Sequence, residues 1–191
     1  MYDATPDPYC YPGTSVLKNI PGIRNQAELD RFETAITAQR GEEPLPLGRF
    51  GVSHYRAIHH HLFQDVYPWA GRFRTLRIAK GESVFCYPEH IAAQMSGTFV
   101  ELKKNRYLRD LPSEIFATQA AHFLAALNAI HPFRDGNGRT QLAFTAMLAA
   151  HAGHPLALER LEPETFLAAM IRSFQGNERL LADEITTLLV P

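Results

Sequence analysis

Between two runs of helical periodicity lies the nine-residue string His131-Pro132-Phe133-Arg134-Asp135-Gly136-Asn137-Gly138-Arg139, which obliges one helix to stop and another to start. Before it, Phe116, Ala120, Phe123, Leu124, Leu127 and Ile130 recur at helical spacing and predict a buried helix from Ser113. Ser113 is placed to cap that helix, and Glu114 suits its first turn. Pro132 disfavours helical backbone at the preceding residue, so the helix is expected to end at or near His131. Beyond the glycines, Leu142, Phe144, Met147 and Leu148 among many alanines predict a second buried helix starting near Asn137 or Gly138. A polar loop slung between two buried helices, 113–152, is therefore the expected centre of the fold.

The rest of the chain reads as mainly helical. After an irregular start over 1–24, dotted with Pro6, Pro8, Pro12 and Pro21, the positions Leu29, Phe32 and Ile36 predict a helix over 26–39 capped by Asn25. Ile58 and Leu62 mark a short helix over 53–63, and Ile91, Met95, Phe99 and Leu102 another over 89–103. Stretches 163–174 and 177–189 complete the set, and Pro44 and Pro46 make 41–48 a loop. Two strand candidates, 74–78 and 83–86, flank a turn at Lys80-Gly81-Glu82. A lone hairpin is marginal in water, so it has to pack on the helices or await a partner strand. With 191 residues, 46% of them hydrophobic, the chain can build one substantial core and falls short of two; an all-α class and a single domain over 1–191 are expected.

Charge and cysteine usage exclude several roles. A net charge of −1 argues against general affinity for nucleic acid or an anionic membrane. No stretch approaches the roughly 20 apolar residues of a membrane span, and residues 1–11 lack the pattern of a signal peptide. Two cysteines, Cys10 and Cys86, suit a reduced cytoplasm better than a disulfide framework.

The loop residues carry chemistry. Gly136 and Gly138 allow backbone angles that other residues resist and let an anion approach the chain. The free N–H groups that open the following helix, at its positive dipole end, attract phosphate oxygens. Asn137 offers amide donors and Arg139 a planar fork. Asp135 supplies the hard oxygen that magnesium accepts beside nucleotide phosphates, and His131 is the group that can hold and release a proton near neutral pH. Base, hard-cation ligand and anion cradle in one loop point to phosphoryl or nucleotidyl transfer. Elsewhere His59, His60 and His61 invite a metal reading, but consecutive helix residues diverge by about 100° and cannot converge on one ion. Gln175-Gly176-Asn177 reads as a helix break.

The string also resembles the signature of the Fic family, His-x-Phe-x-(Asp or Glu)-Gly-Asn-Gly-Arg, at every fixed position. Tyr67-Pro68-Trp69-Ala70-Gly71-Arg72-Phe73-Arg74 with Lys80, Gly81 and Phe85 is similar to the segment leading into that family's hairpin flap. The resemblance implies a bundle of about six to eight helices with a flap at 72–87 over the site. It further implies transfer of AMP from ATP to a Tyr, Thr or Ser hydroxyl of a target protein, with release of pyrophosphate. His131 would be the base and Asp135 the magnesium ligand. Gly136, Asn137, Gly138 and Arg139, with Lys80 and Gly81 from the flap, would hold the nucleotide. Arg74, Thr75, Leu76, Arg77, Ile78 and Phe85 would align the target by strand addition. Relatives of similar size act on type II topoisomerases, others on small GTPases or chaperones, and the hairpin does not choose among them.

Two departures from the family pattern matter. Many members carry a second arginine three residues after the first, where this chain has Leu142. Arg172 or Arg179 could substitute, the donor nucleotide could differ, or the chain could be an impaired module that only binds nucleotide or protein. Self-inhibited members also carry a glutamate followed by Gly or Asn, and no glutamate here is so followed. A toxin-like protein restrained by a separate small antitoxin is the resulting expectation.

Overall fold

The structure, a computed structural model, describes residues 7–80 and 83–190. Among these described residues seven α-helices run in order: α1 Gln26–Glu42, α2 Val52–Phe63, α3 Pro88–Lys104, α4 Ser113–Ile130, α5 Asn137–Ala152, α6 Pro163–Phe174 and α7 Arg179–Leu188. The all-α expectation holds, and the core sits around α4. Phe116, Ala120, Ala121, Leu124 and Leu127 are all buried, because the apolar positions of α4 run around most of its circumference. Helices α3, α5, α6 and α7 cover it, and α2 packs against both α1 and α5.

Several helix ends differ from expectation for local reasons. Asn25 caps α1 as expected, its side chain accepting from Glu28 N–H at 3.0 Å, but the helix runs on to Glu42. Ser113 makes no cap: extended Pro112 takes that position and its carbonyl receives the Phe116 N–H at 2.8 Å, leaving Ser113 as the first helical residue. The last helix starts two residues late, at Arg179, whose N–H is taken by the Asn177 side chain at 3.2 Å.

The hairpin is smaller than its sequence suggests. Among the described residues, Ala79–Lys80 (β1) and Ser83–Val84 (β2) pair, antiparallel, with Ala79 opposite Val84. Residues 74–78 form no strand because their polar groups are committed elsewhere. The Arg74 N–H donates to Pro132 O at 2.9 Å, and the Leu76 carbonyl is taken by the Arg74 guanidinium. Phe85 N–H still reaches Ile78 O at 3.3 Å, but Cys86 N–H turns away to Ala129 O at 3.1 Å, tying the hairpin base to the end of α4.

Candidate active site

The loop between α4 and α5 is closed from within. Asn137 is buried, its Oδ1 accepting from Phe133 N–H at 3.0 Å and its Nδ2 donating to Phe133 O at 2.9 Å. This corrects the expectation that its amide meets phosphate: both ends of the side chain clamp the loop. Phe133 is fully buried, stacked on Tyr55 with ring centroids 5.6 Å apart and with the His59 ring tilted against it at 3.7 Å. His59 accepts from Gly71 N–H through Nδ1 at 2.8 Å, so Nε2 carries the hydrogen and donates to the Asp135 carbonyl at 3.0 Å. Burial pushes its pKa down to about 3, which keeps it neutral. The three neighbouring histidines diverge as expected, His60 reaching Ala70 O and His61 reaching Arg40 O.

Gly136 sits at the mouth of α5 with φ of +77°, and a Cβ there would lie 2.3 Å from the Phe63 ring. Gly136→Ala therefore combines backbone strain of roughly 1–2 kcal/mol with a clash against a fully buried ring. Calorimetry is expected to show a Tm several degrees lower and nucleotide affinity weakened at least about 10-fold.

Around this loop opens a cleft of about 760 Å³. On its polar side lie His131, Asp135 and the start of α5, with Lys80 reaching in from the flap. Leu142, Phe166, Met170 and Phe174 form an apolar side, and Asn128 also lines it. The N–H groups of Asn137, Gly138 and Arg139 precede the first intrahelical bond, Thr140 N–H to Gly136 O at 3.1 Å, and nothing stands within 4 Å of the Gly138 Cβ position. That is the geometry of an anion seat.

His131 closes α4 in the left-handed region, φ 47° and ψ 62°, rather than in the extended region that a following proline favours. Arg74 holds it there. Arg74 is 2% exposed, and its guanidinium donates from Nε to His131 O at 2.8 Å and from Nη2 to Ile130 O and Cys86 O at 3.2 and 2.6 Å. Arg74 is thus no docking residue, because every arm of its head is spent joining flap to loop. Phe85 likewise leaves the docking set: it is buried and stacks on the His131 ring, centroids 3.9 Å apart and planes 21° apart, with Phe174 edge-on behind it. Burial pushes the His131 pKa down to about 4; the Asn128 carbonyl partly opposes this, and Arg74 and Lys80 reinforce it. Desolvation is the largest of these influences. Nδ1 is shut from solvent with no well-formed hydrogen bond.

The remaining expected residues fall as follows. Exposed Thr75 pairs with the Tyr9 hydroxyl, exposed Arg77 stacks over the Tyr87 ring at 3.9 Å, and Leu76 and Ile78 are half-buried. Gly81 lies outside the described residues. Asp135 is half-buried in the cleft, its Oδ1 accepting Gly136 N–H at 2.6 Å, and among the described residues it joins no ion pair. No group of three potential metal-binding side chains occurs among the described residues. A single free carboxylate beside a phosphate seat fits magnesium, which takes one or two carboxylates with phosphate and water. Neither Arg172 nor Arg179 lines the cleft.

Sequence reasoning missed the supports outside the motif. Glu33 and Thr37 on α1 contact Arg139, and Asp7 pairs with Arg134 at 2.8 Å. Thr37 on an otherwise apolar inner face was the available signal. The Asp7–Arg134 pair, far apart in sequence, left none.

A helical bundle presenting a desolvated imidazole, a free carboxylate and a helix N-terminus around one nucleotide-sized cleft belongs to the class of phosphate-ester transfer sites. The comparisons give the family. The profile of the Fic/DOC family matches residues 49–149. A Sinorhizobium fredii protein named "Probable protein adenylyltransferase" is 51% identical over 189 residues, covering 98% of each chain. A Bartonella schoenbuchensis protein adenylyltransferase is 37% identical over 95% of this chain and 38% of its own length. Among solved structures, the N-terminal Fic domain of a Bartonella quintana Bep effector with bound ADP superposes with a TM-score of 0.88, at 28% identity over 96% of this chain and 94% of that one. A BepC protein of Bartonella tribocorum with bound AMPPNP gives 0.86, at 27% identity over 96% of both chains. The chain belongs to the Fic/DOC family.

Proposed function

We propose that this chain is a protein adenylyltransferase that moves AMP from ATP to a Tyr, Thr or Ser hydroxyl of a target protein and releases pyrophosphate. The observation that carries this reading is the neutral His131 ring facing the same cleft as Asp135 and the α5 N-terminus. His131 accepts the hydroxyl proton as the oxygen bonds to the α-phosphorus and the bond to the bridging oxygen of pyrophosphate breaks. The N–H groups of Asn137, Gly138 and Arg139 and the Arg139 guanidinium meet the negative oxygens as that charge shifts. Asp135 would hold magnesium, which when bound neutralises phosphate charge. The names of the relatives and the nucleotides in the neighbouring crystal structures support the donor.

The exposed edge of the short hairpin supports docking of a target segment as an added strand, with Thr75 and Arg77 at its exposed approach. No helix of the described residues is long and apolar enough to cross a membrane. Action in the cytoplasm, under control of a separate small antitoxin, suits a chain in which no glutamate precedes Gly or Asn. Incubating the chain with a cell lysate and ATP labelled at either the α- or the γ-phosphate is expected to label a protein band from α-label alone. A purified type II topoisomerase serves as the first defined target. Label arriving from the γ-position, or from neither, rejects the reading.

A further inference from the structure

The Arg139 guanidinium is gripped on three sides by residues outside the motif. Nη2 donates to Glu33 Oε1, Nη1 donates to Thr37 Oγ1 at 2.8 Å, and the Phe63 ring lies beneath with its centroid 4.7 Å from Cζ. Glu33 and Thr37 stand one turn apart on α1. Thr37 spends its hydroxyl hydrogen on the Glu33 carbonyl at 2.8 Å, so its lone pairs face the arginine. The other Glu33 oxygen accepts from the buried Tyr67 phenol, whose pKa is pushed up by burial and by that carboxylate, so it remains a donor. Glu33 is consequently fixed at both oxygens and 13% exposed, whereas the Arg139 head is 41% exposed and lines the cleft.

A guanidinium has five N–H groups, and two are used here. The others remain for a ligand. Lys80 and Arg139 are the lysine and arginine among the described residues that line the cleft, and Leu142 occupies the wall one turn beyond. The aim of Arg139 therefore counts for much of the positive charge that a donor meets.

We infer that Glu33 is a positioning residue for the nucleotide donor: its Tyr67-anchored carboxylate holds the Arg139 guanidinium in the orientation that meets donor phosphate at the α5 N-terminus. Without it, a side chain with four torsions would have to be ordered at each binding event. The inference rests on the nucleotide-transfer reading for its catalytic readout, and on nucleotide affinity independently of it.

Glu33→Gln in the full chain keeps the shape and removes the charge, leaving one carbonyl oxygen for two donors. AMPPNP affinity by calorimetry and the KM for ATP in transfer are both expected to worsen about 10-fold, with kcat within about 3-fold. A purely structural role would lower Tm and the active fraction and leave the affinity of the folded protein alone. Thr37→Val, which removes a single acceptor, is expected to shift affinity the same way by about 2- to 4-fold, and it decides the matter if Glu33→Gln does not fold. Unchanged affinity overturns the inference, and so does tighter affinity, which would make Glu33 a competitor of phosphate. Should the unaltered chain label no target, the transfer reading fails while the affinity comparison still judges Glu33.

Discussion

His131→Ala is expected to cut AMP transfer by roughly 100- to 10,000-fold, the usual contribution of a positioned base, with little change in nucleotide affinity. The ring lines the cleft but makes no well-formed side-chain hydrogen bond, so its removal leaves few partners unsatisfied. Single-turnover labelling with the unaltered and Ala proteins checks the rate, and a retained circular dichroism spectrum checks the fold. The pH profile carries a second signature. A pKa lowered to about 4 leaves the base neutral throughout the neutral range, so kcat/KM is expected to hold level down to about pH 5 and fall near 4. An unshifted imidazole would instead lose activity near 6.5. Stability follows the same sign. Because the folded pKa lies below the unfolded one, protonation favours the unfolded chain: the native advantage is whole above about pH 6.5 and is lost progressively as pH falls through 4. His59, pushed down to about 3, adds to that acid sensitivity.

Arg74→Met is expected to be the most destabilising change at the site. Its guanidinium is buried and satisfies carbonyls of Leu76, Cys86, Ile130 and His131, which belong to the flap, the end of α4 and the start of the loop. Methionine fills similar volume but strands those acceptors, at a cost of about 3 kcal/mol or more. For a chain of this size that is a Tm loss of roughly 6–12 °C, readable by calorimetry. Transfer activity should fall further than the folded fraction, since the left-handed His131 backbone loses its tie. Arg74→Lys is expected to rescue little, because one ammonium cannot span the carbonyls that the planar fork reaches.

Local rules carried the helices well. Spacing and capping placed α1 to α7 within a few residues, because apolar periodicity and the Pro132 stop act on the chain directly. They failed where a side chain reached across the fold. Residues 74–78 have strand composition, but the Arg74 guanidinium takes the Leu76 carbonyl and, across the hairpin, the Cys86 carbonyl that a longer ladder would need. Phe85 reads as an exposed flap residue until the end of α4 brings the His131 ring beneath it. Asn137 looks like a phosphate donor until its amide is seen to close the loop on Phe133. Glu33 lay outside every pattern, since its partner is more than a hundred positions away and only the packed bundle brings them together.

The phenyl ring of Phe85 against His131 has one more consequence. An imidazole covered on one face keeps its in-plane lone pair free, so the contact steadies the tilt of the ring without closing the edge that faces the cleft.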